Sequence, residues 1–133
     1  MDTSKEFIKM CEKAEEIQKV SPIEKDCGSH WRNKEANIYY VDDGQCYYQS
    51  PPNPKGELQP KIWLPHQSQL QDMLNYTVWF EKIYRFYDWL QEKEDIHSWD
   101  GNCTKFNTME QLWLAFVMWE LYEKKWNGEE WIV

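Results

Sequence analysis

The sequence predicts an α+β domain, mainly helical, with three principal helices and a small antiparallel β-hairpin or three-stranded sheet. Three observations predict it. Apolar residues recur at helical spacing in three segments, 4–19, 66–92 and 108–126. The β/loop region 21–64 separates the first two, and residues 21–61 hold five of the six prolines and three of the five glycines around β-prone runs. The length, 133 residues, suits one core, so 1–133 is read as a single domain.

The first helix opens at Thr3-Ser-Lys-Glu6, which has capping-box spacing. Phe7, Ile8, Cys11, Ala14, Ile17 and Gln18 then follow a helical stripe, and Val20-Ser-Pro22 ends it. Ile38-Tyr-Tyr-Val41 and Cys46-Tyr-Tyr-Gln49 flank Asp42-Asp43-Gly44-Gln45, the pattern of a hairpin with a four-residue loop. Two strands alone are marginal, and Lys61-Ile-Trp-Leu64 is the candidate third. Ser50 to Gly56 reads as a loop. Pro65 sits where a first helical turn tolerates it, opening the longest helix. Its stripe is Leu70, Met73, Leu74, Thr77, Phe80, Tyr84, Tyr87 and Leu90 or Gln91, widened by Val78, Ile83, Phe86 and Trp89. A helix apolar over so much of its girth is expected to touch more than one neighbour. The last helix starts at Asn107-Thr-Met-Glu-Gln111, with Glu110 or Gln111 as reciprocal cap, and is expected to stop at Asn127-Gly128. Its centre, Leu112 to Trp119, is apolar all round, which places it in the middle of the core or at a two-fold interface between copies. The tail Glu129 to Val133 is placed to fold back.

Charge narrows the function. Fifteen Lys plus Arg stand against 23 Asp plus Glu, a net charge of −8. No basic excess exists to displace counterions, so nucleic-acid binding is disfavoured, and only Arg32 and Arg85 provide guanidinium forks. The longest apolar run is far too short for a membrane span, and residues 1–20 have no signal-peptide pattern. A cytoplasmic protein with four reduced cysteines is the expectation.

Three blocks carry a resemblance. Ala14-Glu-Glu-Ile-Gln18, Ile62-Trp-Leu-Pro65 with Gln67 to Met73, and Thr108-Met-Glu-Gln-Leu-Trp-Leu-Ala-Phe-Val-Met118 through Lys125-Trp-Asn-Gly-Glu129 resemble small proteins encoded by phages and prophages of Gram-positive bacteria. The likeness is clearest over 62–74 and 107–131. That family carries no assigned function and brings no catalytic residue. The resemblance implies expression in a bacterial host cytoplasm and, as partner, a protein of the host or its defence system.

Catalytic motifs are not the theme of this sequence. It has no Gly-x-Ser-x-Gly elbow, no His-Glu-x-x-His and no phosphate-cradling glycine loop. Cys27 and His30 form one close pair, and Cys46 with His97 or Cys103 would have to complete a tetrahedral zinc set; structural sites bring two close pairs, so metal binding is the weakest reading. Paired carboxylates (Asp42-Asp43, Glu92 to Asp95, Glu129-Glu130) fall in turns and helix ends, where solvation is the default. No cofactor is called for.

Aromatics are the departure: nine Trp, eight Tyr and five Phe make 17% of the chain, more than one small core needs. Trp31, Tyr39, Tyr40, Tyr47, Tyr48 and Trp63 fall in the β region. Neighbouring strand residues point to opposite faces, so one ring of each Tyr pair faces outward from the hairpin unless both faces are covered. Those six are the candidate binding residues. The function expected is a non-catalytic accessory protein that binds a partner through an acidic, aromatic surface. The alternative is a nucleotide-like small-molecule binder, its rings stacking a base and Arg32, Lys34 or Lys61 meeting phosphate; the second alternative is a small metal-binding protein.

Overall fold

A computed structural model describes residues 1–22, 29–41, 44–92 and 105–133, with backbone alone for 29–32. In chain order the elements are α1 (Lys5–Lys13), α2 (Glu15–Lys19), β1 (Ser29–Asn33), β2 (Ile38–Val41), β3 (Cys46–Gln49), β4 (Lys61–Leu64), α3 (Gln67–Asp72), α4 (Trp79–Glu92), α5 (Met109–Tyr122), β5 (Lys125–Trp126) and β6 (Trp131–Ile132). The class is α+β, as expected. Strands β2, β3 and β4 have the expected bounds, but the sheet has four strands in the antiparallel order β1-β2-β3-β4. Among the described residues no helix is long and apolar enough to cross a membrane.

Each expected helix is shorter than its periodicity suggested. The segment 4–19 breaks at Ala14 (φ −88°, ψ 71°), and Ser4, not Thr3, is the cap: its side chain accepts from the Phe7 N–H at 3.2 Å. The break leaves Phe7, Met10, Cys11, Ala14 and Ile17 all fully buried. The segment 66–92 is two helices separated by residues 73–78. Asn75, Thr77 and Val78 are poor helix formers. Tyr76 is also held from outside, donating from its hydroxyl to Glu120 at 2.5 Å. The last helix ends at Tyr122, with Glu123 in the left-handed region (φ 55°), and not at Asn127-Gly128. Asn127 and Gly128 (φ +101°) instead make the turn of the β5–β6 hairpin, the Asn127 side chain accepting from the Glu129 and Glu130 N–H groups at 2.8 Å. Burial of two indoles outweighs one more helical turn. Trp126 and Trp131 pack at 5.0 Å, Trp126 donating to Glu6 and Trp131 to the Met10 carbonyl.

Helix α5 is the axis of the core, one of the two places expected for it. Six consecutive residues, Trp113 to Met118, are buried, so it is covered on all sides. Ile38, Cys46, Ile62 and Leu64 on one sheet face join α1 in this core. The end of β4 is also closed off. The Gln18 side-chain amide accepts from the Trp63 N–H (2.9 Å) and donates to the Trp63 carbonyl (3.0 Å), as a neighbouring strand would. Gln18→Ala leaves both backbone groups without that partner. Denaturant unfolding should show a loss of about 1–3 kcal/mol; a loss under about 0.5 kcal/mol would mean water replaces the amide at no cost.

Candidate docking surface

The aromatic hairpin is mostly inside the protein. Register places Trp31 opposite Tyr39, Tyr39 opposite Tyr47 and Tyr47 opposite Trp63, one aromatic row across all four strands. The Tyr39 and Tyr47 rings stack at 5.7 Å, and Tyr39, Tyr47 and Trp63 are buried. Tyr47 donates to the Pro22 carbonyl at 3.1 Å, and Trp63 donates to Gln45 Oε1, which also takes a bond from Gln69. The chain near Pro22 and the Gln45–Gln69 pair therefore hold this row, and these three rings are not the surface expected of them. The other ring of each pair lies on the face of Ile38, Cys46, Ile62 and Leu64, where Tyr40 is exposed while Tyr48 is half-buried and packed against the core. The Trp31, His30 and Arg32 side chains lie outside the described residues.

Of the metal candidates only Cys46 is described with its side chain. Cys27, His97 and Cys103 lie outside the described residues, and among those described no group of three or more His, Cys, Asp or Glu side chains is placed to hold an ion. Cys46 and Cys11 are both buried in the core. Burial pushes the Cys11 thiol well up, with Asp2 and Cys46 adding to the shift, so it is not a thiolate nucleophile.

Apart from Tyr40, the exposed rings among the described residues are on α4. Phe80, Ile83, Tyr84 and Tyr87 follow i, i+3, i+4, i+7 spacing and form one stripe facing solvent, with Trp79 and Val78 at its start. Trp79 is 76% exposed and Tyr84 66%. The opposite stripe, Phe86 and Trp89, packs on α5: Phe86 stacks on Trp113 at 4.2 Å and 8°, and Trp89 lies 5.5 Å from Phe116. The broad apolar girth thus has one partner and one bare face. Sequence reasoning took both stripes as covered.

Beside this face lies a notch of about 250 Å³ lined by Tyr84, Arg85, Asp88, Trp89, Glu92, Trp119 and Glu120. Arg85 pairs with Glu120 at 2.5 Å and lies over the Tyr76 ring. Burial and the Glu120 carboxylate push the Tyr76 hydroxyl up to about 12, so it stays a donor at neutral pH. Two larger grooves, about 520 and 400 Å³, run along α1 and share Glu12 and Ser50. Lys61 lines the first and Tyr48 the second; their charges are mixed, with no carboxylate or amine set converging on a point. Compared with known proteins, the chain matches no family model, no curated protein and no solved structure.

Proposed function

We propose that this is an interaction protein without catalysis of its own, and that the bare face of α4 is where it docks another protein. One observation carries the reading: five large apolar side chains, four of them aromatic, stand exposed on one helix at a spacing that makes a continuous face. Their exposed area is about 600 Å², at the upper end of patches on ordinary monomers and near the ~800 Å² each partner gives to a standard interface. Trp and Tyr are also the residues that dominate binding energy at interfaces. The resemblance to phage and prophage proteins supports a bacterial host or defence protein as the partner, met in the host cytoplasm. The nucleotide reading loses its stacking platform, because Tyr39, Tyr47 and Trp63 are covered.

The triple change Phe80→Ser, Tyr84→Ser, Tyr87→Ser tests it. These side chains are exposed, so the thermal midpoint should move little. Recovery of a stoichiometric protein from a Gram-positive lysate, quantified by mass spectrometry, should fall at least tenfold. Equal recovery by the triple variant would reject α4 as the docking face, and loss with Tyr40→Ala and Tyr48→Ala instead would return the role to the hairpin.

A further inference from the structure

We infer that the notch beside α4 receives a Lys or Arg side chain of the docked protein, so that the partner segment pairs an apolar stripe with a cation. The inference rests on α4 being the docking face. Tyr84, Asp88 and Glu92 are spaced four apart on α4, so they form one row leading from the exposed stripe into the notch. Among the described residues three carboxylates line it, from Asp88, Glu92 and Glu120, against one cation, Arg85. Arg85 is already bound to Glu120, and no hydrogen bond or ion pair to Asp88 or Glu92 occurs among the described residues. The walls are aromatic: Tyr84, Trp89 and Trp119. Carboxylates beside ring faces suit an ammonium or guanidinium group and repel a phosphate. The volume, about 250 Å³, is below that of a typical small-molecule pocket and fits one inserted side chain.

A second copy of this chain is the poorer occupant. Two chains of −8 repel one another. The exposed stripe itself carries no Lys or Arg to offer a facing notch: of the α4 cations, Lys82 is half-buried and Arg85 is engaged with Glu120. A basic partner gains where a second copy loses.

The test is selection of a displayed library of random 16-residue peptides on the immobilised full chain. Enriched peptides should combine apolar residues at helical spacing with at least one Lys or Arg. Their affinity for the unaltered chain should fall as salt rises, and Asp88→Asn plus Glu92→Gln, both exposed positions, should lower it roughly tenfold and weaken that salt dependence. Binding should be lost with Phe80→Ser plus Tyr84→Ser. Peptides lost on the stripe variant but indifferent to the carboxylate variant would overturn the cation inference and leave the α4 reading standing. Peptides indifferent to both variants would overturn both. No enrichment, enrichment without a cation, or self-association in sedimentation that the stripe variant abolishes would each overturn the inference, the last by making a second copy the occupant.

Discussion

Phe116→Ala should lower the unfolding free energy by about 3–5 kcal/mol, the cost of removing a fully buried aromatic ring and leaving a cavity. Phe116 is 0% exposed and touches three rings: Phe86 at 5.5 Å, Trp89 at 5.5 Å and Trp113 at 5.8 Å. Two of these come from α4, so this cluster is what fixes α4 to the core. Polar anchoring adds little inside it, since the indole N–H groups of Trp89 and Trp113 are buried with no hydrogen-bond partner among the described residues. Area and ring stacking hold it instead. Against a total stability of roughly 5–15 kcal/mol the loss is large, and the thermal midpoint should fall by roughly 10–20 °C. Tyr84→Ser, on the bare side of the same helix, should shift the midpoint by about 2 °C or less. A Phe116→Ala protein within about 1 kcal/mol of wild type would mean that α4 does not pack on α5 as described. Detaching α4 should also cost partner binding, so the docking measurements belong with the exposed variants, which leave the cluster intact.

Asp2→Ala should cost about 2–3 kcal/mol at neutral pH, because it takes away a buried acceptor around which three donors converge. Asp2 is 7% exposed. Its carboxylate accepts from the Thr108 hydroxyl at 2.6 Å, the Gln111 amide at 2.9 Å and the Ser4 N–H at 2.8 Å. Thr108 is also the cap of α5, accepting from the Gln111 N–H at 3.2 Å, while Gln111 Oε1 accepts from the Asn107 N–H. One carboxylate therefore ties the start of α1 to the start of α5. Burial by itself would raise its pKa; the bonds from Thr108, Ser4 and Gln111 outweigh that and hold it below the ordinary 3.8. With the folded value depressed, the contribution is fully present above 3.8 and is lost as pH falls from there through the folded value, where the unfolded chain takes the proton first. Glu16 has the same direction, the upward push of burial being outweighed by Lys124, and Glu129 is held down by Lys9. The difference between wild type and Asp2→Asn therefore isolates Asp2. Denaturant melts at pH 7 and pH 3 should show that difference shrinking at pH 3; an equal difference at both would show that the carboxylate is not charged in the folded protein.

Much of the fold is legible along the chain because its causes are local. Alternation and turn residues locate Ile38–Val41, Cys46–Gln49 and Lys61–Leu64 as strands with the observed bounds. Asn107 and Thr108 both read as caps because a side-chain oxygen at that spacing satisfies a free amide, and Thr108 is the one that does so. The all-apolar run after Leu112 reads as covered on every side, by the core or by another chain, because no face of it tolerates water, and its burial places it in the core. An exposed aromatic face was legible in kind, and the largest group of exposed rings among the described residues lies elsewhere than expected, on α4. Twenty-two rings exceed what one small core can hold, so an aromatic surface was expected, but on the hairpin.

By itself the sequence determined the α+β class, the positions of three strands, the acidic charge and the surplus of rings, since each follows from residue type and spacing. Tertiary structure alone decided the breaks at Ala14 and at 73–78, the fourth strand, the end of α5 at Tyr122, and which rings face solvent. Periodicity shows that Phe80, Ile83, Tyr84 and Tyr87 share a face, and equally that Phe86 and Trp89 share another. It cannot show that α5 lies against only one of them, because burial belongs to a pair of surfaces and the second surface comes from residues more than twenty positions away.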